Sequence, residues 1–443
     1  MRRLLFIFSF LSLLVVDGKA QEVETLTLED CLRIGIDNNL SLEGKRKEIQ
    51  KSKYGVSENR SKLLPQITVI AGYNNNFDPP VSVTDGSSYG VPYNITKTLQ
   101  HTANAGLEMQ MPLFNQTLYT SMSIAKVMEE ISRLSYGKAR EDIIMQISKM
   151  YYLGQVTAEQ IVLIKANITR LEELRDITQA FYDNGMSMEV DLKRVNINLE
   201  NLKVQYDNAQ AMMKQQLNML KYIMDYPAEK EFVLTPVNTD SITTVALTGL
   251  SENIYELQLS QSQVQLAEKQ KKIISNGYIP SLSLTGSWRY AAYTDKGYHW
   301  FHSGPSNHWF RSYGLGLTLR IPIFDGLDKT YKIKKAMIDI ENRKLAWENA
   351  RKSLQTQYLN AVNDLMNNQR NFKKQKDNYL LAEDVYTVTS DRYREGIASM
   401  TEVLQDEMQM SEAQNNYISA HYNYRITNLM LLKLTGQIES LVK

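Results

Sequence analysis

Proline placement limits what this chain can fold into more than any other feature. Its 443 residues hold ten prolines, with none between Pro112 and Pro227 and none after Pro322. Each gap exceeds a hundred residues. Proline inside a helix removes a hydrogen bond and clashes with the preceding turn, so these gaps permit helices far longer than a compact domain needs. Within them the apolar residues keep a coiled-coil period. Leu365, Phe372, Tyr379, Tyr386 and Tyr393 fall at every seventh position, and Val195, Leu199, Leu202, Tyr206, Ala209 and Met213 alternate steps of four and three. Both are seams of 3.5 residues per turn. A helix from about Asn115 to Tyr182 would be roughly 100 Å long, the length of a column.

The chain also says the same thing twice, which is to be settled before its elements are assigned. Tyr182/Tyr393, Gly185/Gly396, Asp191/Glu402, Tyr206/Tyr417 and Ala209/Ala420 all share one spacing, and Leu64-Pro65 and Met111-Pro112-Leu113-Phe114 have counterparts in Ile279-Pro280 and Ile321-Pro322-Ile323-Phe324. Each half reads helix, strand, loop, strand, very long helix, turn, long helix. The expected division is a first repeat over 21–227, a linker over 228–248 and a second repeat over 249–443. Gly185 and Gly396 stand where each long helix should reverse, as glycine prefers the position just past a helix end.

Four strands of period two are expected, at about 65–75, 102–112, 280–291 and 312–322. Leu282, Leu284, Trp288 and Tyr290 alternate with Ser281, Ser283, Thr285, Ser287 and Arg289; Tyr313, Leu315, Leu317 and Leu319 share a face opposite Thr318 and Arg320. The first half pairs Ile67, Val69, Ala71 and Tyr73 with Ala103, Ala105, Leu107, Met109 and Met111. Strands of about ten residues, oily on one side and polar on the other, suit an outer-membrane barrel with a wet interior. A soluble sandwich with one buried face has the same pattern, but Tyr73, Tyr290, Tyr293 and Tyr313 near strand ends favour a bilayer, where such rings settle at the interfaces. Single-chain barrels begin at about eight strands, and open edges cannot face lipid. Other copies of the chain must complete the wall, two copies giving eight strands and three giving twelve.

Composition narrows the function classes. With 50 Lys+Arg against 49 Asp+Glu the net charge is +1, so there is no electrostatic case for nucleic acid. A single cysteine, Cys31, excludes an internal disulfide framework; beside Leu28 and Leu32 it reads as a core residue. Arg2 and Arg3 lead into an apolar run from Leu4 to Val16, followed by Gly18-Lys19-Ala20. That is a signal peptide over 1–20, too short for a comfortable membrane span, with no cysteine placed for a lipid anchor. No glycine-rich phosphate loop, nucleophile elbow or His-Glu-x-x-His is present, so catalysis has no motif and no cofactor is expected.

Together these features resemble the TolC family of outer-membrane efflux proteins over nearly the whole mature chain. The local signatures are Thr27-Leu28-Glu29-Asp30 with Asn38-Asn39, Tyr278-Ile279-Pro280-Ser281-Leu282, Ile321-Pro322-Ile323-Phe324-Asp325-Gly326, and the turns Asn184-Gly185-Met186 and Glu395-Gly396-Ile397. The resemblance implies a mainly α fold with membrane β: a TolC-like channel-tunnel in which four strands per chain join a shared trimeric twelve-stranded barrel, and long coiled-coil helices form a periplasmic helical barrel. It implies a homotrimer in the outer membrane of a Gram-negative bacterium, extending into the periplasm. It would serve a tripartite efflux or type I secretion system as a passive conduit, with a periplasmic adaptor (membrane fusion) protein and an inner-membrane pump of RND, ABC or MFS type.

The resemblance also places acidic residues shortly after the turn glycine around the channel entrance. Asp191 and Glu402 occupy that position, and Arg194 and Gln405 stand one turn further on, where the family often has a second acid. Copies around one axis would attract cations. Two plainer readings compete: Ser399-x-x-Glu402 is a capping box, and Asp191 complements a helix dipole. Gly185, Met186, Gly396 and Ile397 are the implied adaptor contacts. The loop at about 76–101 reads as extracellular and mobile, and His299, His302 and His308 as a wet surface loop rather than a metal site. The rival class is a periplasmic coiled-coil scaffold or adaptor whose strands form a soluble domain.

Overall fold

A computed structural model describes residues 24–236, 248–294 and 309–442. The expected signal peptide over 1–20, residues 237–247 of the expected linker and the histidines His299, His302 and His308 lie outside the described residues. The chain divides into two compact units, and both draw on both halves of the sequence. One comprises Met1–Leu40, Arg140–Gly249 and Tyr358–Lys443, the other Ser41–Ala139 and Leu250–Gln357.

The second unit holds a four-stranded antiparallel sheet in the order β2 (Gln66–Asn75), β5 (His101–Phe114), β7 (Ser281–Thr294) and β8 (Trp309–Arg320). Pairing of β5 with β7 joins the two halves of the sequence in one sheet. The register sorts the side chains by row. Val69 stands opposite Leu107, Leu107 opposite Trp288, and Trp288 opposite Tyr313; the next row runs Thr68, Glu108, Ser287, Gly314. Because alternate residues point to opposite faces, the sheet is oily on one side and polar on the other. No described residue covers the oily side: Leu315 is 80% exposed and Tyr313 76%. On the polar side Arg289 forms a cross-strand ion pair with Glu108. Gly106 makes room for it, since a Cβ there would meet Cα and Cγ of Arg289 at 2.9 Å.

The β2–β5 connection is more ordered than a loop. It contains a hairpin of β3 (Val81–Asp85) and β4 (Tyr93–Lys97), with Val83 opposite Ile95 and Thr84 opposite Asn94. Val81, Val83, Tyr93 and Ile95 alternate with Ser82, Thr84, Asn94 and Thr96, a period-two signal hidden among turn residues. Helices α2 (Leu40–Ser61) and α5 (Tyr255–Asn276) and the first parts of α3 (Gln116–Asp183) and α6 (Asp328–Arg394) complete this unit. The Arg46 guanidinium lies 5.8 Å from the Tyr136 ring centre, and α5 packs so closely that a Cβ at Gly137 would enter the Tyr255 ring.

The first unit is helical. It contains α1 (Leu28–Asn38), α4 (Glu189–Met224), α7 (Met400–Leu434) and the remaining parts of α3 and α6. The Thr27 signature is a complete capping box: the Asp30 N–H donates to Thr27 Oγ1 at 3.2 Å, and the Thr27 N–H donates to Asp30 Oδ2 at 3.2 Å. The single first helix expected from the sequence is two, broken at Asn39, whose side chain donates to Ile223 O at 2.8 Å. Phe232–Leu234 forms β6, parallel with β1 (Glu24–Leu26), because burial of Phe232, Leu234 and Leu26 anchors it. The seam residues Val195, Leu199, Leu202, Ala209, Leu365, Tyr386 and Tyr393 are all buried.

The two faces of the sheet make opposite demands. Leu315→Arg should cost about 2–4 kcal/mol, the penalty for a cation on a lipid-facing barrel position, and deplete the heat-sensitive oligomer in outer-membrane fractions on unboiled gels. Thr318→Arg, on the other face, should leave that band intact.

Candidate functional site: the helix reversals and the packed end behind them

The two reversals are built alike. In the first, the N–H of Gly185 donates to Tyr182 O (2.9 Å) and that of Met186 to Phe181 O (2.8 Å), with Gly185 at φ 72°. In the second, the N–H of Gly396 donates to Tyr393 O (2.9 Å) and that of Ile397 to Arg392 O (2.8 Å), with Gly396 at φ 77°. This pattern satisfies the last helical carbonyls, and its left-handed residue is strained for anything but glycine. Both turns leave an apolar side chain in the open: Met186 is 70% exposed and Ile397 63%.

Asp191 lies in the first turn of α4. Arg194 donates to its Oδ1 at 3.2 Å and reaches Thr401 Oγ1 on α7 at 3.4 Å. The structure thus brings Asp191 and Arg194 together beside the start of α7, and Arg194 partly neutralises that carboxylate. Glu402 differs. Ser399 Oγ accepts from its N–H at 3.3 Å, but the return bond of a capping box is not made, and its exposed carboxylate has no ion pair among the described residues. Gln405 is exposed one turn on.

Behind these starts the four helices pack on Leu171, Leu174, Val195, Leu199, Tyr386, Tyr393, Met400 and Val403. Polar ties cross between α3 and α6: Arg170 to Glu383 at 3.0 Å, Arg394 to Glu173 at 3.2 Å, and the Tyr393 hydroxyl to Thr178 Oγ1 at 3.3 Å.

Sequence reasoning missed a buried polar row on α7. Glu407, Gln414, His421 and Asn428 recur at every seventh residue, all at buried positions. Gln414 and Asn167 exchange hydrogen bonds at 2.7 and 3.4 Å. His421 Nε2 accepts from Arg425 Nε at 2.9 Å, and its Nδ1 lies 3.6 Å from Glu159 Oε2. Glu159 also accepts from the Tyr417 hydroxyl at 3.1 Å. Neither His421 Nδ1 nor Glu407 Oε1 has a hydrogen-bond partner, and burial raises the pKa of Glu407, with the positive charge of Arg170 as a smaller opposing influence. The row was in the sequence as a heptad spacing, but its members are polar, and a search for apolar seams passes over them.

Cys31 is fully buried, and its thiol is pushed up to about 12 by burial and then by the charge of Asp30, so it is an inert core residue. Among the described residues no cluster of His, Cys, Asp and Glu is arranged to hold a metal, and no helix is long and apolar enough to cross a membrane.

A two-faced sheet with open edges and two equivalent helical reversals define a subunit of a larger channel wall. The sequence model of the family described as "Outer membrane efflux protein" matches twice, over residues 34–224 and 240–437, and the chain belongs to that family. It is 21% identical over 396 residues to outer membrane protein TolC of Vibrio cholerae, covering 86% of this chain and 84% of that protein. It is 23% identical over 382 residues to the probable efflux pump outer membrane protein TtgC of Pseudomonas putida, covering 81% and 75%. The fold matches the crystal structure of CusC with a TM-score of 0.77 at 15% identity, over 96% of this chain and 95% of that one.

Glu407 makes the packing of this end pH-dependent. Its raised pKa means that its burial favours the packed state fully below the ordinary carboxylate range, and that this contribution is lost as pH rises through the raised value. Glu407→Gln removes the charge and keeps the shape. It should raise the melting temperature by ~3 °C near pH 8 and leave it unchanged at pH values low enough to protonate Glu407, as read by a thermal melt across pH.

Proposed function

We infer that this protein is the outer-membrane channel of an efflux system, a passive conduit whose work is permeation. One observation carries the reading: a four-stranded sheet, oily on one face and polar on the other, with two edges left open among the described residues. A soluble scaffold would bury the oily face within itself, and the exposure of Leu315, Leu317 and Leu319 disfavours that. The family is one of channel proteins, and we assign the chain no catalysis. Three copies supply twelve strands, a number supported by the family resemblance. The long helices reach into the periplasm, where a periplasmic adaptor and an inner-membrane pump deliver cargo.

In this reading Glu402 and Asp191 ring the entrance, and the open Glu402 carboxylates dominate the ring because each Asp191 is already held by Arg194. Alanine at both positions should raise single-channel conductance or weaken block by multivalent cations in a planar bilayer. Unchanged conductance and block would remove both residues from the entrance.

Met186 and Ile397 are the adaptor contacts of the same reading, two exposed apolar side chains on equivalent turns. Met186→Asp with Ile397→Asp should weaken adaptor capture in a pull-down by about tenfold, the effect of ~1.4 kcal/mol, while the oligomer still assembles. Capture at the normal level would reject the contact.

A further inference from the structure

Two helices of the first unit carry a second apolar stripe that no described residue covers. On α4 it runs Val190, Ile197, Val204, Met212 and Met219, each 45–61% exposed. On α6 it runs Leu359, Met366, Leu380 and Val388, each 50–53% exposed, and its one vacant heptad position is Lys373. These stripes lie apart from the buried seams of the same helices, which the chain's own four-helix packing already fills. Their steps are sevens with a single eight in each, so each stripe keeps to one side of its helix.

Both stripes span the same length, 190 to 219 on one helix and 359 to 388 on the other, roughly 44 Å at the helical rise. They also run opposite ways. Val190 lies just after the Gly185 turn, whereas Val388 lies just before the Gly396 turn, and the two reversals are tied together by the Arg194–Thr401 and Arg394–Glu173 contacts. A ring of identical copies needs two different faces per copy, one meeting the other head to tail. This unit exposes two apolar stripes of matching length and period.

We propose that the α4 stripe of one copy packs antiparallel along the α6 stripe of the next, with Val190 beside Val388 and Met219 beside Leu359. This rests on the reading of the protein as an oligomeric channel and adds the surface and register that close its helical wall. The register gives Lys373 a purpose. It brings Asp207, on the flank of the α4 stripe, within one turn of Lys373 of the neighbour, and neither residue has an ion-pair partner among the described residues of its own chain. A carboxylate beside the one cation in an apolar seam fixes register, because a slip by one heptad strands both charges.

The test is oxidative cross-linking of the full-length protein in outer membranes, with the buried Cys31 left in place as the control that does not react. Val190→Cys with Val388→Cys, and Met219→Cys with Leu359→Cys, should each convert the monomer band to covalent dimers and trimers on a non-reducing gel, whereas Val190→Cys with Leu359→Cys should stay monomeric. Independently, Asp207→Lys or Lys373→Asp should lower the temperature at which the unboiled oligomer band is lost, and the double exchange should restore it. Cross-linking only in the Val190–Leu359 pair, or in none of the pairs while the oligomer persists, would overturn the proposed seam and leave the channel standing. Absence of any oligomer in the unaltered protein would overturn both.

Discussion

The backbone hydrogen bonds at the rims of the β2-β5-β7-β8 sheet govern everything else. Among the described residues, one rim of β2 and one of β8 have no strand beside them. In water such rims can be hydrated or shielded, but in hydrocarbon each unmet N–H or C=O costs several kcal/mol. The side chains forbid the aqueous solution, because the same sheet carries an uncovered face of Leu, Trp and Tyr. A strand from another copy is the partner that satisfies both demands at once. The fold of one chain is thus the repeat unit of a wall.

The helical unit faces a different problem and solves it with different residues. Helices satisfy their own backbone, so their association depends on side-chain seams. The apolar seam built on Val195, Leu199, Tyr386 and Tyr393 supplies attraction; the polar row of Glu407, Gln414, His421 and Asn428 supplies specificity, since buried polar groups are tolerated only where their partners align. Gln414 and Asn167 meet that condition reciprocally. Glu407 Oε1 and His421 Nδ1 do not meet it.

Much of this was legible in the sequence because its determinants are local. Period two at Ile67–Tyr73 and Leu282–Tyr290, heptads from Leu365 to Tyr393, and glycine at 185 and 396 each act over a few residues, and all recur in the structure as read. What escaped depends on partners distant in sequence. Strand β6 exists because Phe232 and Leu234 meet a segment some two hundred residues earlier. The β3–β4 hairpin was hidden by surrounding Pro, Gly and Ser. Arg194 was legible as a departure from an acidic ring, but its grip on Asp191 and its reach to Thr401 needed coordinates. The heptad of polar residues on α7 was written plainly and overlooked, since seams are sought among apolar residues.

The claim beneath all of this is that a single chain is an incomplete object. The mass of the detergent-extracted protein, measured by native mass spectrometry or light scattering with the detergent subtracted, tests it most directly. A particle of three chains drawn from the outer membrane is the predicted result. A monomer that stays in solution without detergent would contradict it.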